Sequence, residues 1–310
     1  MKLESPAKAS ILLMLCVIIW GSCYPISKSA LNEINAISLV FWRFVIASAC
    51  LAVYFKISRI SFPRLSLSRW FRAIVVSTLG VGGFNIIVYI GLSYTSPINS
   101  VLIMSLCPLM TSLIACTAIR SIPSLAQLCS IIISLIGVFM VLVNGNIDTL
   151  LSIHINYGDA LIFFGMLAWS IYTYLSKIIC QWMPVMPYTF LGMSGSAILT
   201  GTLCLVIPDI HPYYDLRNST TLVLVDILYI GICGTVAAYF FWLYGVHQLG
   251  PANASIYFNF IPVFSLLTSY ILGQPASGVQ SLGMVIVISG LLLPRIIKTA
   301  RNRHLIHYGS

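Results

Sequence analysis

The chain has 310 residues, of which 59% are hydrophobic and 7% charged, against roughly 25% charged in ordinary soluble domains. So few charges cannot cover a water-soluble surface, which excludes a soluble globule. The net charge of +9 does not by itself exclude nucleic acid, but its distribution does, because the basic residues fall in segments that alternate with apolar blocks.

Those blocks are near the ~20 residues that one helix needs to cross a bilayer. They are too long and too continuous for barrel strands, whose apolar residues alternate. Backbone groups in lipid must be bonded within their own segment, so ten membrane helices are expected, near residues 9–27, 34–55, 73–95, 97–119, 124–143, 157–177, 186–207, 227–249, 251–272 and 279–297. Lys2 and Lys8 precede the first block as in a secretory signal, but no small-x-small cleavage pattern follows, and the helix is read as retained.

The first helix ends in WGSCYPISK, with Trp20, Tyr24 and Lys28. The second carries VFWRFVIAS, whose Arg43 is the only full charge expected deep in the membrane. An unpaired guanidinium there costs several kcal/mol, so it should face the interior, held by a structural network or by a ligand carboxylate. Asn85 lies in the third helix. Pro108 falls in the middle of the fourth, where it removes a backbone donor, and Ser105 stands three residues before it.

The sixth helix reads WSIYTYLSK, with Trp169 and Lys177 each 149 positions after Trp20 and Lys28. Gly80, Gly91, Pro97, Asn99 and Pro108 recur as Gly234, Gly245, Pro251, Asn253 and Pro262 at an offset of 154, and Gln127 and Gly137 recur as Gln280 and Gly290 at 153. The residues that control backbone geometry therefore keep their spacing. Residues 1–145 and 155–300 are read as two repeats, followed by a basic tail at 301–310. Each repeat holds five helices, an odd number, so the second enters the membrane from the opposite side and the two are inverted. The symmetry also sets Arg72 against Asp226 and makes both interfacial.

With the N-terminus inside, the inner loops and helix ends receive Lys2, Lys8, Lys56, Arg59, Arg64, Arg69, Arg72, Arg120, Lys177, Arg295, Lys298, Arg301 and Arg303, against Lys28 and Arg217 outside. That asymmetry sets the topology, and both termini are expected in the cytoplasm.

Polar and aromatic residues at mid-depth are the candidates for a solute site. Asn85 and Tyr239 hold equivalent positions in helices three and eight, and each reads as a cavity group or as an interhelical hydrogen bond. Ser105 and Asn259 precede the two mid-helix prolines and satisfy a broken turn or bind substrate. Tyr239 and Trp242 share one helical face, and Tyr257 lies beyond, with Trp20 and Trp169 at the margins. Aromatic faces suit planar or cationic ligands, though they also serve packing and interfaces. Lys28 and Lys177 read as snorkelling anchors or as gates. No cluster of His, Asp and Glu, no metal-ligand spacing and no phosphate-cradling loop is written here, so no catalysis, metal or cofactor is expected. The nine cysteines read as packing thiols.

WGSCYPISK, FWRFVIAS and above all AYFFWLYGVHQLGPANASIYFNFIPVFSLLTSYILGQPAS resemble EamA domains of the drug/metabolite transporter superfamily. The resemblance runs through nearly the whole chain. It rests on the Ala-Tyr opening, the Leu-Gly-Pro-Ala turn, the mid-helix Ile-Pro-Val-Phe and the Gly-Gln-x-x-x-x-x-Gln ending. It implies ten helices, termini inside, and a pathway between helices three, four, eight and nine. Lining candidates are Asn85, Ser105, Tyr239, Tyr257 and Asn259. The chain departs from many relatives in having Ile261 and Gln274 where they carry glutamate, so a buried acid that couples protons has no obvious carrier. The expected function is secondary transport of small metabolites across the inner membrane, by export or exchange. Amino acids or similar zwitterionic or aromatic compounds are the expected substrates, and nucleoside-like or cationic metabolites or drugs the alternative. A channel or receptor without a carrier cycle is the reading from another class. The expected partners are the small-molecule substrate and the lipid bilayer, while the sequence is silent on oligomeric state.

Overall fold

Apolar blocks become helices wherever a capping residue or a Gly/Pro break punctuates them. In the computed structural model residues 6–92, 94–95, 103–143, 156–273 and 277–290 are described, and among these the chain is helical without a strand. The helices are α1 (Pro6–Ala30), α2 (Ala36–Ser58), α3 (Leu67–Gly91), α4 (Cys107–Ala118), α5 (Leu125–Val143), α6 (Tyr157–Ile179), α7 (Val185–Val206), α8 (Thr221–Leu249), α9 (Pro251–Ile271) and α10 (Gly278–Gly290). Seven are long and apolar enough to cross a membrane, and α4, α5 and α10 are shorter apolar helices.

The ends have local causes. Asn35 caps α2 by accepting from the Ile37 N–H at 2.9 Å. Asn156 and Asp159 form a reciprocal capping box at the start of α6,. Ser277 and Gln280 do the same for α10, with bonds of 3.0 and 3.2 Å. Between α8 and α9 Gly250 takes φ +84, a region open to glycine at little cost, and Pro251 starts the next helix. A short surface helix, Pro212–Asn218, joins α7 to α8.

Two of the departures from the expected boundaries form a symmetric pair. Helices α3 and α8 begin at Leu67 and Thr221 rather than at residues 73 and 227. Both starts move out together and keep the offset of 154. A helix can form before it enters lipid, and Arg72 and the half-buried Asp226 ride on these first turns.

One end of the bundle is acidic. There Glu33 accepts from the Thr220 N–H at 2.8 Å and its hydroxyl at 3.0 Å, Asp215 accepts from the Asn35 N–H at 3.3 Å, and Thr95 donates to buried Asp159. The other end is basic, with Lys56, Arg59, Arg64, Arg69 and Arg120 in its loops and helix ends. Lys177 donates to the His247 carbonyl, and Arg69 lies 5.7 Å over Trp182.

Packing contacts recur in pairs at the sequence offsets. Gly91 abuts Ile162 as Gly245 abuts Leu13, and Gly80 abuts Tyr172 as Gly234 abuts Cys23. Gly137 lies against Gly283 and Val287, while Gly290 lies against Ser130 and Ser134. A Cβ on Gly137 would come within 2.6 Å of the Val287 nitrogen, so α5 and α10 approach at backbone distance, as small residues permit in membranes.

Candidate functional site

Four of the helices are irregular at mid-depth, and the irregularities place the polar groups. Helices α3 and α8 each open into a π-turn, at Leu79–Gly83 and Ile232–Ala237. Such a turn leaves a carbonyl without its usual partner. Side chains take up those acceptors. Asn85 Nδ2 donates to the Val81 carbonyl at 2.8 Å, Trp20 Nε1 to Gly234 at 3.0 Å and Thr235 Oγ1 to Ile230 at 2.8 Å. Thr235 in turn accepts from Arg43 Nε at 3.0 Å, and the guanidinium also bonds the Tyr89 hydroxyl. Arg43 packs 5.5 Å from the Phe44 ring, and no carboxylate pairs with it among the described residues.

The prolines break the other pair. A turn at Ser105 and Leu106 precedes α4, where Leu106 N–H bonds the Ile103 carbonyl at 3.1 Å. Ile256–Phe260 in α9 is a 3₁₀ segment, after which Ile261 N–H bonds the Phe258 carbonyl. In α-geometry that carbonyl would need an N–H from residue 262, which proline lacks.

Trp20, Trp169, Tyr239, Trp242 and Phe258 form a closed aromatic cluster. Trp20 is 5.7 Å from Trp169, 5.4 Å from Tyr239, 5.5 Å from Trp242 and 6.0 Å from Phe258. These offset and edge arrangements suit ring quadrupoles. The indole N–H groups of Trp169 and Trp242 are buried without an acceptor. Asn85 Nδ2 reaches the Tyr239 hydroxyl at 3.4 Å, so two positions equivalent in the repeats meet each other, as Trp20 and Trp169 do.

A cleft of about 230 Å³ opens beside this cluster, toward the acidic end. Phe258, Met104, Ser105 and Asn259 lie along it at mid-depth. Its walls include Tyr24 of α1, Ser265 and Ser269 of α9, Val141 of α5 and Gln280 of α10. Asn259 is 1% exposed, and both its amide oxygen and its amide nitrogen lack a hydrogen-bond partner. Buried amides are almost always bonded.

The structure thus divides the candidate residues into three groups. Ser105, Asn259 and Pro262 line the cleft. Trp20, Trp169, Tyr239 and Trp242 form the closed cluster next to it, and Asn85 and Arg43 hold the hydroxyl network behind. Tyr257 is buried but outside the cleft wall. Pro108 is buried in α4, and Lys177 sits at the basic end. The side chain of Lys28 lies outside the described residues, as do Asn99 and Gln274. Sequence reasoning passed over Phe258, Ser265, Ser269 and Gln280. A signal existed, because Asn259, Pro262, Ser265, Leu266 and Ser269 keep the three- and four-residue spacing of one helix face.

An apolar helical bundle whose long helices include seven fit to cross a membrane defines a multi-pass membrane protein. The model of the EamA-like transporter family matches the chain twice, over residues 7–143 and 156–295, and the chain belongs to that family. The family and the apolar helices make it a protein of the plasma membrane. It is 28% identical over 278 residues to the uncharacterized transporter YyaM of Bacillus subtilis (strain 168), covering 88% of each chain. It is 24% identical over 292 residues to an uncharacterized transporter of Archaeoglobus fulgidus, covering 93% of this chain and 97% of that one. A solved crystal structure superposes with a TM-score of 0.77 at 16% identity, over 94% of this chain and 98% of the other, which speaks to the fold.

Proposed function

We propose that the protein is a secondary transporter that moves small zwitterionic or aromatic metabolites, such as amino acids, by alternating access, with export or exchange as the direction of use. Ten helices span the membrane as two inverted five-helix repeats, residues 1–145 and 155–300, and both termini are cytoplasmic. The paired glycine contacts and the axial meetings of Trp20 with Trp169 and of Asn85 with Tyr239 support the repeat. The basic end is then the inner face and the cleft faces outward.

The observation that carries the reading is the Asn259 amide, buried in the cleft wall with both its atoms unsatisfied. A solute that supplies a donor and an acceptor there recovers both bonds. The lining is neutral, with hydroxyls, amides and the rings of Tyr24 and Phe258, which suits a small solute without net charge. Gln280 is spoken for, since its Nε2 donates to the Val141 carbonyl at 3.2 Å, so Asn259 is the amide left to recognise ligand.

Counterflow in liposomes with a labelled amino-acid mixture tests this. Unlabelled amino acids on the opposite side should accelerate uptake, which requires a carrier cycle, and Asn259→Ala should raise the half-saturating concentration about tenfold, equivalent to about 1.4 kcal/mol. Flux without trans-acceleration would replace the carrier with a channel. Unchanged affinity in Asn259→Ala would remove Asn259 from the site.

A further inference from the structure

Resting on the transporter reading, we propose that the aromatic cluster beside the cleft is a recognition site for a carboxylate. The indole N–H groups of Trp169 and Trp242 donate to the carboxylate of an α-amino acid, and the Asn259 amide oxygen accepts from its ammonium. The Phe258 ring is the partition that the solute displaces to reach them.

The argument starts from donors that have nothing to bond. Trp169 is 1% exposed and Trp242 0%, and neither indole N–H has an acceptor. A buried donor without a partner is costly, and the face of a neighbouring ring accepts it only weakly. Crowding three tryptophans together does not by itself impose this cost, because Trp20 of the same cluster donates to the Gly234 carbonyl at 3.0 Å. The rings of Trp169 and Trp242 lie with their centroids 5.7 Å apart, close enough for the two oxygens of one carboxylate to take one N–H each.

Phe258 connects these donors to the cleft. Its ring stands 6.1 Å from Trp169 and 5.9 Å from Trp242, and it is the one ring of the cluster that also lines the cleft. It belongs to the 3₁₀ segment Ile256–Phe260, next to Asn259, whose amide nitrogen and oxygen are both unbonded. The unsatisfied groups on the two sides of Phe258 are therefore the N–H donors of Trp169, Trp242 and Asn259, against the single acceptor of Asn259. An excess of donors selects a ligand rich in acceptors, and a carboxylate is acceptor-only with two oxygens. The N–H lies on the positive edge of the indole, which suits an anion that the ring face would repel. The lone acceptor suits an ammonium, which ring faces also attract. An α-amino acid carries both groups on one carbon, and its side chain is then left to Met104, Val141 and Leu266 of the cleft wall.

The probes are leucine, methionine and phenylalanine, each paired with the amino alcohol that keeps its ammonium and side chain but lacks the carboxylate. Dissociation constants come from ligand-dependent melting of the purified protein in detergent, and counterflow is measured on the same preparations. At least one amino acid should bind at least about tenfold more tightly than its alcohol. Trp169→Phe and Trp242→Phe should each bring that pair within about twofold by weakening the amino acid alone, whereas Trp182→Phe, which removes an indole at the basic end, should leave the ratio unchanged. Without ligand, Trp169→Phe and Trp242→Phe each delete an unbonded donor, so their melting temperatures should fall less than that of Trp20→Phe, which breaks a bond already made. Phe258→Ala should speed binding more than about threefold in stopped-flow tryptophan fluorescence, and an unchanged rate overturns the partition. Equal binding of amino acids and alcohols by the wild type, or variants that weaken both ligands alike, overturns the subsite, and counterflow that persists then leaves the transporter reading intact. A preference that both variants abolish, in a protein without counterflow, supports the subsite and counts against the carrier cycle. Absence of binding by all three amino acids overturns the subsite, whatever the counterflow of other solutes.

Discussion

Arg43 shows how a full charge is held in an apolar bundle by neutral groups, the partners it has among the described residues. Its guanidinium donates to Thr235 and Tyr89, and so ties α2 to both π-turned helices. Hydrogen bonds to a charged group contribute about 1.5–3 kcal/mol each, whereas a carboxylate partner would bring its own desolvation cost. Arg43→Gln should therefore lower the melting temperature in detergent by several degrees while the half-saturating concentration for counterflow stays within about twofold. Arg43→Lys, which lacks the planar fork, should recover only part of that stability. Thermal unfolding and counterflow on the same preparations check both. The polar residues differ in how visible they were before the structure. Asn85, Ser105 and Asn259 stand out because an amide, or a hydroxyl beside a proline, is conspicuous in an apolar helix. Ser265 and Ser269 do not, because a hydroxyl in a membrane helix usually bonds its own backbone, as Thr268 does to the Phe264 carbonyl at 2.8 Å,.

Among elements, α5 and α10 depend most on the absence of side chains. Gly137 and Gly290 each face backbone and short side chains of the partner helix, and the Ser130 hydroxyl donates across to the Gly290 carbonyl at 2.6 Å. Gly137→Leu should destabilise the protein by about 1–3 kcal/mol or more, the cost of overpacking, whereas Gly278→Leu, where an added Cβ meets nothing within 4 Å, should leave the melting temperature unchanged. Parallel thermal melts of the two variants decide it. The helices themselves were legible as apolar blocks, and the breaks in α4 and α9 as prolines. The early starts of α3 and α8 were not, because the expected ends rest on the paired charges Arg72 and Asp226, whereas a helix can begin before it enters lipid. The π-turns were hidden as well. Glycine marks them at Gly80 and Gly234, but an extra residue in a turn leaves no periodic trace in a sequence that is apolar on every face.

For the whole molecule, charge and symmetry make one joint demand on orientation. In the proposed orientation the end that carries Lys56, Arg59, Arg64, Arg69 and Arg120 stays in the cytoplasm, since basic loops resist translocation, and the acidic end that carries Glu33, Asp209 and Asp215 crosses. Helices α7 and α8 frame residues 207–220 at the acidic end, so in that orientation a reporter inserted there should be exported. With residues 207–220 outside, a reporter after Ser310 remains inside if α8, α9 and α10 all span the membrane and is exported if α10 does not. Alkaline phosphatase, active only outside, should therefore work when placed at Asn218 and fail at Ser310, and a fluorescent protein that matures only in the cytoplasm should give the opposite result. Activity of phosphatase at both sites would leave the shorter helix α10 short of the membrane, since α8 and α9 are the two long spans between the sites. It would also break the odd number on which the inversion of the repeats depends, since two units of five and four helices cannot exchange roles across the bilayer.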